Sequence, residues 1–147
     1  MKNFLALLEE RRYWGKSAVG LIIKAEDTGN ILVLRRSSRV NEPGTYSITI
    51  SGKIDDGENA MRALLREVEE ELRYSGKIDN PKLFYTFKDK DFIFETYITK
   101  VPTEFTPNLN WEHRSCFWWD MKKKIKGELH FGTKELLRKK KTELINF

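Results

Sequence analysis

The segment from Gly52 to Leu72 constrains the fold of this chain more than any other stretch. A strand-like run leads straight into Gly52, and a loop containing Asp55 and Asp56 follows. From about Asn59 onward the apolar residues recur at helical spacing and fall within roughly one third of the helix circumference: Met61, Leu64, Leu65, Val68 and Leu72. The segment therefore predicts an amphipathic helix that follows a strand and buries one face.

Three glutamates of this helix, Glu67, Glu70 and Glu71, are spaced i, i+3 and i+4 and so share one side. Carboxylates packed in this way repel one another. The arrangement becomes favourable when divalent cations lie among them, because hard cations take oxygen ligands. A run of charges is also a common feature of a solvated surface. The triplet alone therefore leaves two interpretations open, a metal site and a solvated surface. In both, the acidic side of the helix lies at the edge of the surface on which the helix packs.

Composition places the chain among folded proteins that meet anionic partners. Its 147 residues suit one domain, residues 1–147, and 39% hydrophobic with 33% charged residues excludes a disordered chain. The net charge of +5 favours nucleotides, nucleic acid or acidic lipid without choosing among them. Cys116 is the only cysteine, so a disulfide within the chain is not possible. The apolar run 4–8 is too short for a membrane span. We expect a cytoplasmic protein that does not enter membranes.

The order of predicted elements indicates an α+β fold with a sheet clamped between helices. A short amphipathic helix is predicted at 3–12 and a final helix at about 133–145, N-capped by Thr133. Between them lie strands rich in β-branched and aromatic residues. They are predicted at 17–25, 31–36, 45–50, 82–88, 91–99 and 114–119.

The central segment resembles the signature of the Nudix hydrolases, the MutT-like family, over positions 52–74. The matching residues, at the family's spacing, are Gly52, Glu58, Arg66, Glu67, Val68, Glu70 and Glu71. The approach through Pro43-Gly44 and the later Glu112-His113 pair also resemble the family, so the resemblance covers roughly residues 16–121. It implies an α/β/α sandwich with a mixed sheet between helices.

The resemblance implies a hydrolase that breaks a pyrophosphate bond in a nucleoside diphosphate linked to another group, X. It implies that Glu67, Glu70, Glu71 and the backbone carbonyl of Ser51 hold Mg²⁺ or Mn²⁺. Glu70 and Glu112 are the two candidates for the base that deprotonates the attacking water, and Glu112 is alternatively an added metal ligand. In the same resemblance Glu58 and Arg66 form a salt bridge that supports the loop and helix. Glu69 is expected to be solvated, and His113 to be structural.

One departure from the family pattern leads to a structural prediction. Arg73 stands where the family closes its signature with glycine, and Tyr74 follows in an aliphatic position. Glycine just past a helix end supplies a left-handed cap, a conformation that costs other residues about 1 kcal/mol or more. We therefore expect the helix to continue to about Tyr74–Ser75 and to be capped by Gly76.

The substrate and the partners stay open at the level of sequence. A small nucleotide is the leading substrate class, with RNA 5′-ends as an alternative suggested by the basic runs 122–124 and 138–141. A catalytically silent nucleotide-binding module is a third interpretation, and a homodimer is compatible with the chain. Selectivity is expected from the loops 37–44 and 102–111. Trp118 is assigned to the core, and other aromatics are candidates to stack on a base: Trp14, Tyr46, Phe87, Trp111, Phe117 and Trp119.

Overall fold

A mixed sheet and two helices make up residues 17–147, the part of the chain that this computed structural model describes. The helix predicted at 3–12 and Trp14 lie outside the described residues. The elements are β1 (Ser17–Ala25), β2 (Ile31–Arg36), β3 (Tyr46–Ser47), β4 (Ile50–Lys53), α1 (Ala60–Leu72), β5 (Lys82–Asp89), β6 (Phe92–Val101), β7 (His113–Trp119) and α2 (Phe131–Asn146). The predicted order of strands, helix, strands and helix is confirmed.

β1 is the strand around which the sheet is built. It pairs in parallel with β6 along its whole length, from Ser17↔Ile93 to Ala25↔Val101. β5 lies antiparallel to β6 on its other side, and β7 lies antiparallel to β2. A parallel pair needs a long crossover, and the segment that carries α1 supplies it.

β1 and β2 pair only next to the turn that joins them, at Lys24↔Ile31. Farther along they separate, and β3 and β4 lie between them. β4 pairs with Ala18–Leu21 of β1. β3 pairs with Leu34 and Arg35 of β2. The strand predicted at 45–50 is therefore two short strands, because the chain passes there from the edge of β2 to the edge of β1.

Alternation along β1 gives the sheet two apolar faces, each covered by a helix. Leu21 and Ile23 pack with Leu64, Val68 and Leu72 of α1. On the opposite face Ile22 packs with residues of α2 and its neighbouring strands, among them Ile31, Ile98, Leu136 and Leu144. Trp118 packs against the first core, and Trp119 is buried in the second. The fold is the α/β/α sandwich that the resemblance implied.

The prediction for Arg73 is wrong. α1 ends at Leu72, and Arg73 adopts the left-handed conformation (φ 50°, ψ 37°), with its N–H donating to the carbonyl of Glu69 at 3.0 Å. The physical reason lies in the last helical carbonyls. Leu72 accepts from the backbone N–H of Asn108 at 3.0 Å, and Glu71 accepts from that of Asn110 at 3.3 Å. The 102–111 loop thus occupies the space that another helical turn would need.

Two further details of the helices differ from expectation. Leu65 is 52% exposed, whereas Glu67 and Glu71 are buried, so the buried face of α1 is rotated towards the glutamates. α2 begins at Phe131 with His130 as its N-cap, two residues before the predicted start. Thr133 is instead buried, and its hydroxyl accepts a hydrogen bond from the backbone N–H of Ile48 at 3.1 Å.

The far end of α2 is held by a buried lysine. Lys24 of β1 donates from Nζ to the carbonyls of Leu144, Ile145 and Phe147 at 3.1, 3.0 and 3.2 Å. A cation at this position satisfies carbonyls that have no partner within the helix and complements the helix dipole. Burial, with the nearby charge of Lys100, lowers the pKa of Lys24.

Among the described residues no helix has the length and apolar character to cross a membrane.

Candidate active site

Arg66, which lies in α1, is hydrogen-bonded to the end of β4 and to the loop between β4 and α1. Its Nε and Nη2 donate to the two carboxylate oxygens of Glu58, both at 2.9 Å. Nη2 also donates to the carbonyl of Lys53 at 3.0 Å, at the end of β4. Glu58 accepts a further bond from the backbone N–H of Asp55 at 2.9 Å. A bidentate pair of this kind fixes direction as well as distance, so the loop geometry follows from these contacts.

The electrostatic effect of this pair is visible in both partners. The hydrogen bond from Arg66, aided by the Asp55 N–H, lowers the pKa of Glu58 to about 2. The same bond raises the pKa of Arg66 above its ordinary value. Arg66 also reaches the acidic triplet, since Nη1 donates to Glu67 at 2.8 Å and to Glu70 at 3.3 Å. Arg66 is therefore a fixed positive charge beside the glutamates.

Gly52 leaves the space in which the Glu67 carboxylate lies. Gly52 is buried in β4, and a Cβ atom built on it would overlap the carboxylate of Glu67. Glycine is required here because of close approach and not because of an unusual backbone angle. The first residue of the motif and its first glutamate thus form a matched pair across the turn from strand to helix.

The acidic triplet is divided by burial. Glu67 and Glu71 are only 5% and 1% exposed, whereas the side chain of Glu70 is 51% exposed. Burial, followed by the hydrogen bond and charge of Glu71, raises the pKa of Glu67 to about 9. Burial also raises the pKa of Glu71 well above its ordinary value. Two buried carboxyl groups at close range cannot both ionise without a compensating cation.

The turn before β7 forms the opposite wall. Glu112 is partly buried, and its pKa is raised by burial and then by the charge of Glu67. His113 Nε2 shares a hydrogen bond of 2.5 Å with Glu71 Oε1, and burial lowers the pKa of His113 to about 4. Glu71, Glu112 and His113 each offer a ligand atom within 4.8 Å of the others.

The donor set fits a divalent cation. Glu71 Oε2 is buried and receives no hydrogen bond from a donor in residues 17–147, although buried acceptors are normally satisfied. Carboxylate oxygens are the ligands that Mg²⁺ and Mn²⁺ prefer. The residues that could hold such an ion are Glu67, Glu70 and Glu71, with Glu112 and the carbonyl of Ser51 close by.

The predicted site residues are largely brought together. Ser51, Glu71 and Glu112 line one polar cleft, Glu67 lies against Gly52, and Glu70 is exposed and accepts a hydrogen bond from Arg66. Glu69 is exposed on the far side of α1, as expected. His113 was interpreted as structural, and its contact with Glu71 gives it a place in the site. A histidine next to Glu112 was the available signal for that contact.

Two arginines that the sequence did not single out as site residues also line the cleft. Arg36 ends β2 and Arg39 belongs to the loop 37–44, where both lie near Glu112 and Trp111. Arg36 donates from Nε to the carbonyl of Asn41 at 2.6 Å, which fixes its direction. The sequence did not reveal these two arginines, because their position near Glu112 depends on how the loop 37–44 packs in three dimensions.

An apolar pocket adjoins the cleft on the α2 side of the sheet. Arg36, Thr49 and Ser51 line both spaces. The pocket is walled by aromatic side chains of β5 and β6 and by the first turn of α2. Its lining includes Tyr85, Phe87, Phe92, Phe94, Phe131, Thr133 and Lys139. The arrangement offers a largely apolar, aromatic space next to a charged centre.

Comparison with known proteins agrees with this geometry. The model of the family described as the NUDIX domain matches residues 15–139. A MutT protein from Methanosarcina mazei Go1 is 21% identical with a TM-score of 0.66, covering 86% of this chain and 93% of that one. An Ap4A hydrolase of C. elegans, solved as a binary complex, is 25% identical with a TM-score of 0.63, covering 88% and 99%.

A more distant structure shares the fold. The NUDIX domain of Shewanella oneidensis NrtR, solved with ADP ribose, is 15% identical with a TM-score of 0.65, covering 87% of each chain. No curated protein sequence matches this chain.

Proposed function

Since this chain belongs to the Nudix family and is a Nudix hydrolase, we propose that it is a metal-dependent pyrophosphohydrolase of small nucleotides. Its substrate is a nucleoside diphosphate linked to a group X, and the bond broken is a P–O bond of the pyrophosphate. The observation that carries this proposal is the pair of buried carboxylates, Glu67 and Glu71, of which Glu71 lines a polar cleft. We also propose that residues 1–147 form one domain.

The proposed ligands of Mg²⁺ or Mn²⁺ are Glu67, Glu70, Glu71 and the backbone carbonyl of Ser51. A bound divalent cation screens the charge of the pyrophosphate and polarises its P–O bonds. Arg66 Nη1 donates hydrogen bonds to Glu67 and Glu70 and so orients both carboxylates. Glu58 in turn holds Arg66, so these two residues position the ligands without touching the substrate.

Glu112 is the favoured base in this proposal. It lines the cleft, and its raised pKa brings its proton affinity closer to neutral pH, where a base works best. The water oxygen forms a bond to phosphorus, the bond to the leaving phosphate oxygen breaks, and the water proton passes to the carboxylate. Glu70 is the second candidate for the base, although its side chain is half exposed and accepts a hydrogen bond from Arg66.

The substrate class rests on the spaces beside the carboxylates. The aromatic pocket lined by Tyr85, Phe87 and Phe94 suits a nucleobase, because flat rings stack on aromatic side chains. Arg36 and Arg39 suit the anionic phosphates. The similar proteins solved with ADP ribose, or named for Ap4A, are consistent with a nucleotide.

The test is a nucleotide panel with Mg²⁺ or Mn²⁺, scored by phosphate release. Glu70→Gln and Glu112→Gln are compared with Glu69→Gln, an exposed neighbour on the same helix that serves as the matched control. Removing a base costs roughly 10²- to 10⁴-fold in kcat. Glu112→Gln is expected to show this loss, and Glu69→Gln none. Turnover that persists in EDTA, or full activity in both site variants, would contradict the proposal.

RNA 5′-ends are a weaker candidate substrate. Of the two basic runs that suggested RNA, 122–124 is exposed, whereas the lysines of 138–141 lie against aromatic rings of the sheet. Lys139 Nζ is 3.1 Å from the Tyr85 hydroxyl, and Lys140 and Lys141 lie 5.7 and 6.0 Å from ring centres. These contacts give the lysines a structural role that needs no RNA. A silent binding module is weaker still, because every carboxylate of the motif is retained.

A further inference from the structure

Four hydroxyl side chains form a continuous row along the wall of the apolar pocket. They lie on the first turn of α2, on β3, on the segment between β3 and β4, and on β4 itself, and they belong to Thr133, Ser47, Thr49 and Ser51. Thr133 and Ser47 are buried, whereas Thr49 and Ser51 also line the polar cleft. The row therefore leads from the start of α2 to the junction of the pocket with the cleft.

A backbone donor sets the direction of the hydrogen bonds in this row. The Thr133 hydroxyl accepts from the Ile48 N–H at 3.1 Å and donates to Ser47 Oγ at 3.4 Å. Ser47 Oγ also accepts from the Thr49 N–H at 3.2 Å, so both of its lone pairs are occupied. The hydrogen of Ser47 therefore goes to Thr49, whose carbonyl and hydroxyl oxygens lie at 3.2 and 3.3 Å.

The last hydroxyl of the row is left with a hydrogen to donate. Thr49 Oγ1 and Ser51 Oγ are 3.0 Å apart. Because Ser47 Oγ has no lone pair left for Thr49, the Thr49 hydroxyl donates to Ser51, and bonds that run in one direction polarise one another. Among the residues that the structure describes, Ser51 Oγ has no other hydrogen-bond partner. The Ser51 hydroxyl is thus a donor at the junction of the two spaces.

Gly20 of β1 leaves room for this hydroxyl. Ser51 is the register partner of Gly20, and a Cβ atom on Gly20 would lie 3.3 Å from Ser51 Oγ and 3.1 Å from Cε1 of Phe94. Alternation along β4 places the Ser51 side chain on the face opposite to the contact of Gly52 with Glu67. The hydroxyl can therefore contact a ligand on the pocket side of the sheet.

The junction presents donors to a ligand that can only accept. Arg36 lines both spaces as Ser51 does, so a guanidinium group and a hydroxyl donor meet there. Ionised phosphate oxygens accept hydrogen bonds and have none to donate, and charge-assisted bonds to them are strong. A phosphate oxygen thus matches the direction in which the row of hydroxyls runs.

From this arrangement we propose that the Ser51 hydroxyl and Arg36 form a phosphate subsite made of protein donors, which binds without a metal ion. Ser51 is a specificity-determining residue in this scheme. Thr133 is a positioning residue that acts on Ser51 through Ser47 and Thr49. The inference rests on the proposed pyrophosphohydrolase activity and adds to it a contact that one phosphate of the substrate makes.

The first experiment measures the Kd of imidodiphosphate, a pyrophosphate analogue that resists hydrolysis, by calorimetry in EDTA. Chelation leaves only protein donors to bind it. Ser51→Ala keeps the backbone carbonyl and removes the donor, so Kd is expected to rise roughly tenfold or more, as for a lost bond to a charged group. Thr96→Val, a buried threonine of the same pocket that is not part of the row, is the matched control and leaves Kd unchanged.

A second pair of variants tests the direction of the row. Thr133→Val keeps the side-chain shape but frees a lone pair on Ser47, so Thr49 can donate back to Ser47 and Ser51 to Thr49. The hydrogen that served the phosphate is then used within the row. Kd for imidodiphosphate is expected to rise by a smaller factor than in Ser51→Ala, and Thr133→Ser is expected to restore it. If Thr133→Val does not fold, Ser51→Ala still decides the proposal.

Adenosine, which has no phosphate, is expected to bind equally to the wild type and to Ser51→Ala. A wild type that does not bind imidodiphosphate in EDTA would overturn the subsite. So would an unchanged Kd in Ser51→Ala, the same loss in Thr96→Val, or an equal loss for adenosine. Absence of Mg²⁺-dependent turnover on every nucleotide would instead overturn the proposed function, and the subsite measured in EDTA would stand by itself.

Discussion

At the scale of single residues, the site depends on one position without a side chain, Gly52, and on one ion pair, Glu58 with Arg66. Gly52 matters because it has no Cβ atom where the Glu67 carboxylate lies. Glu58 matters because it holds Arg66 by two bonds of 2.9 Å. The resemblance to the family implied the salt bridge between Glu58 and Arg66, but the contact between Gly52 and Glu67 was not predicted. The resemblance also did not show that Glu67 and Glu71 are buried, because their depth depends on how α1 packs on the sheet.

Gly52→Ala is expected to weaken Mn²⁺ binding and Mg²⁺-dependent turnover with little change in Tm. The added methyl displaces the end of a flexible side chain, so the fold tolerates it while the ligand moves. Disturbed ligand orientation costs roughly 10- to 100-fold in metal affinity. Calorimetric titration with Mn²⁺ measures the effect, and Lys53→Ala, at the exposed next position, is the control. Unchanged affinity in Gly52→Ala would remove Glu67 from the ligand set.

Glu58 is expected to make stability depend on pH in the acid range. Its pKa is about 2 when folded against an ordinary 4.5, so the Glu58–Arg66 pair contributes fully above about pH 4.5. That contribution is lost as the pH falls from 4.5 towards 2. Thermal unfolding of the wild type and Glu58→Gln across this interval measures it. The two Tm curves are expected to converge at the acid end, and parallel curves would contradict the linkage.

At the scale of elements, α1 shows what a helical pattern can and cannot predict. Its existence, its start near Asn59 and its acidic side follow from residue spacing. The structure adds that Asn59 is its N-cap, whose side chain accepts a bond from the Arg62 N–H at 2.9 Å. The end of α1 does not follow from spacing, because the 102–111 loop takes the last carbonyls and forces Arg73 into the left-handed region. Tertiary contacts of this kind leave no local signal in the sequence.

Arg73→Gly is expected to stabilise the protein. The left-handed conformation costs a non-glycine residue about 1–2 kcal/mol, and glycine adopts it without that strain. Part of the gain is offset by the greater freedom of glycine in the unfolded chain, so the free energy of unfolding rises by about 1 kcal/mol. Urea unfolding measures this change. Arg73→Ala keeps the strain and is the control, and equal stability in the two variants would refute the argument.

At the scale of the whole molecule, the two helices are secured differently. The last carbonyls of α1 are bonded to the 102–111 loop, whereas the polar contacts near the two ends of α2 reach β1 and the segment between β3 and β4. Near its start the Thr133 hydroxyl accepts from Ile48 N–H at 3.1 Å. Near its end Lys24 reaches three carbonyls. The order of the predicted elements indicated a sheet clamped between helices. It did not predict that a lysine within a buried strand would hold a helix end.

Lys24→Met is expected to destabilise the protein by about 1–3 kcal/mol, because buried carbonyls lose a charged donor. Urea unfolding checks the size of the loss. Hydrogen exchange is expected to show faster opening of the last turn of α2, with α1 unaffected. Lys134→Met, an exposed lysine on the same helix, is the control. Equal protection of α2 in both variants would show that Lys24 is not what secures it.

The separation of β1 from β2 has a consequence for how such a protein diversifies. The hydrolytic helix is attached to β1 through β4, whereas the loop 37–44, which carries Arg39, is attached to β2. The two therefore hang from different strands of one scaffold. A change in the length of this loop therefore leaves the pairing of β4 with β1 in register, and with it the start of α1. The cleft wall that carries Arg39 can thus vary while the strand that leads into the carboxylate helix keeps its place.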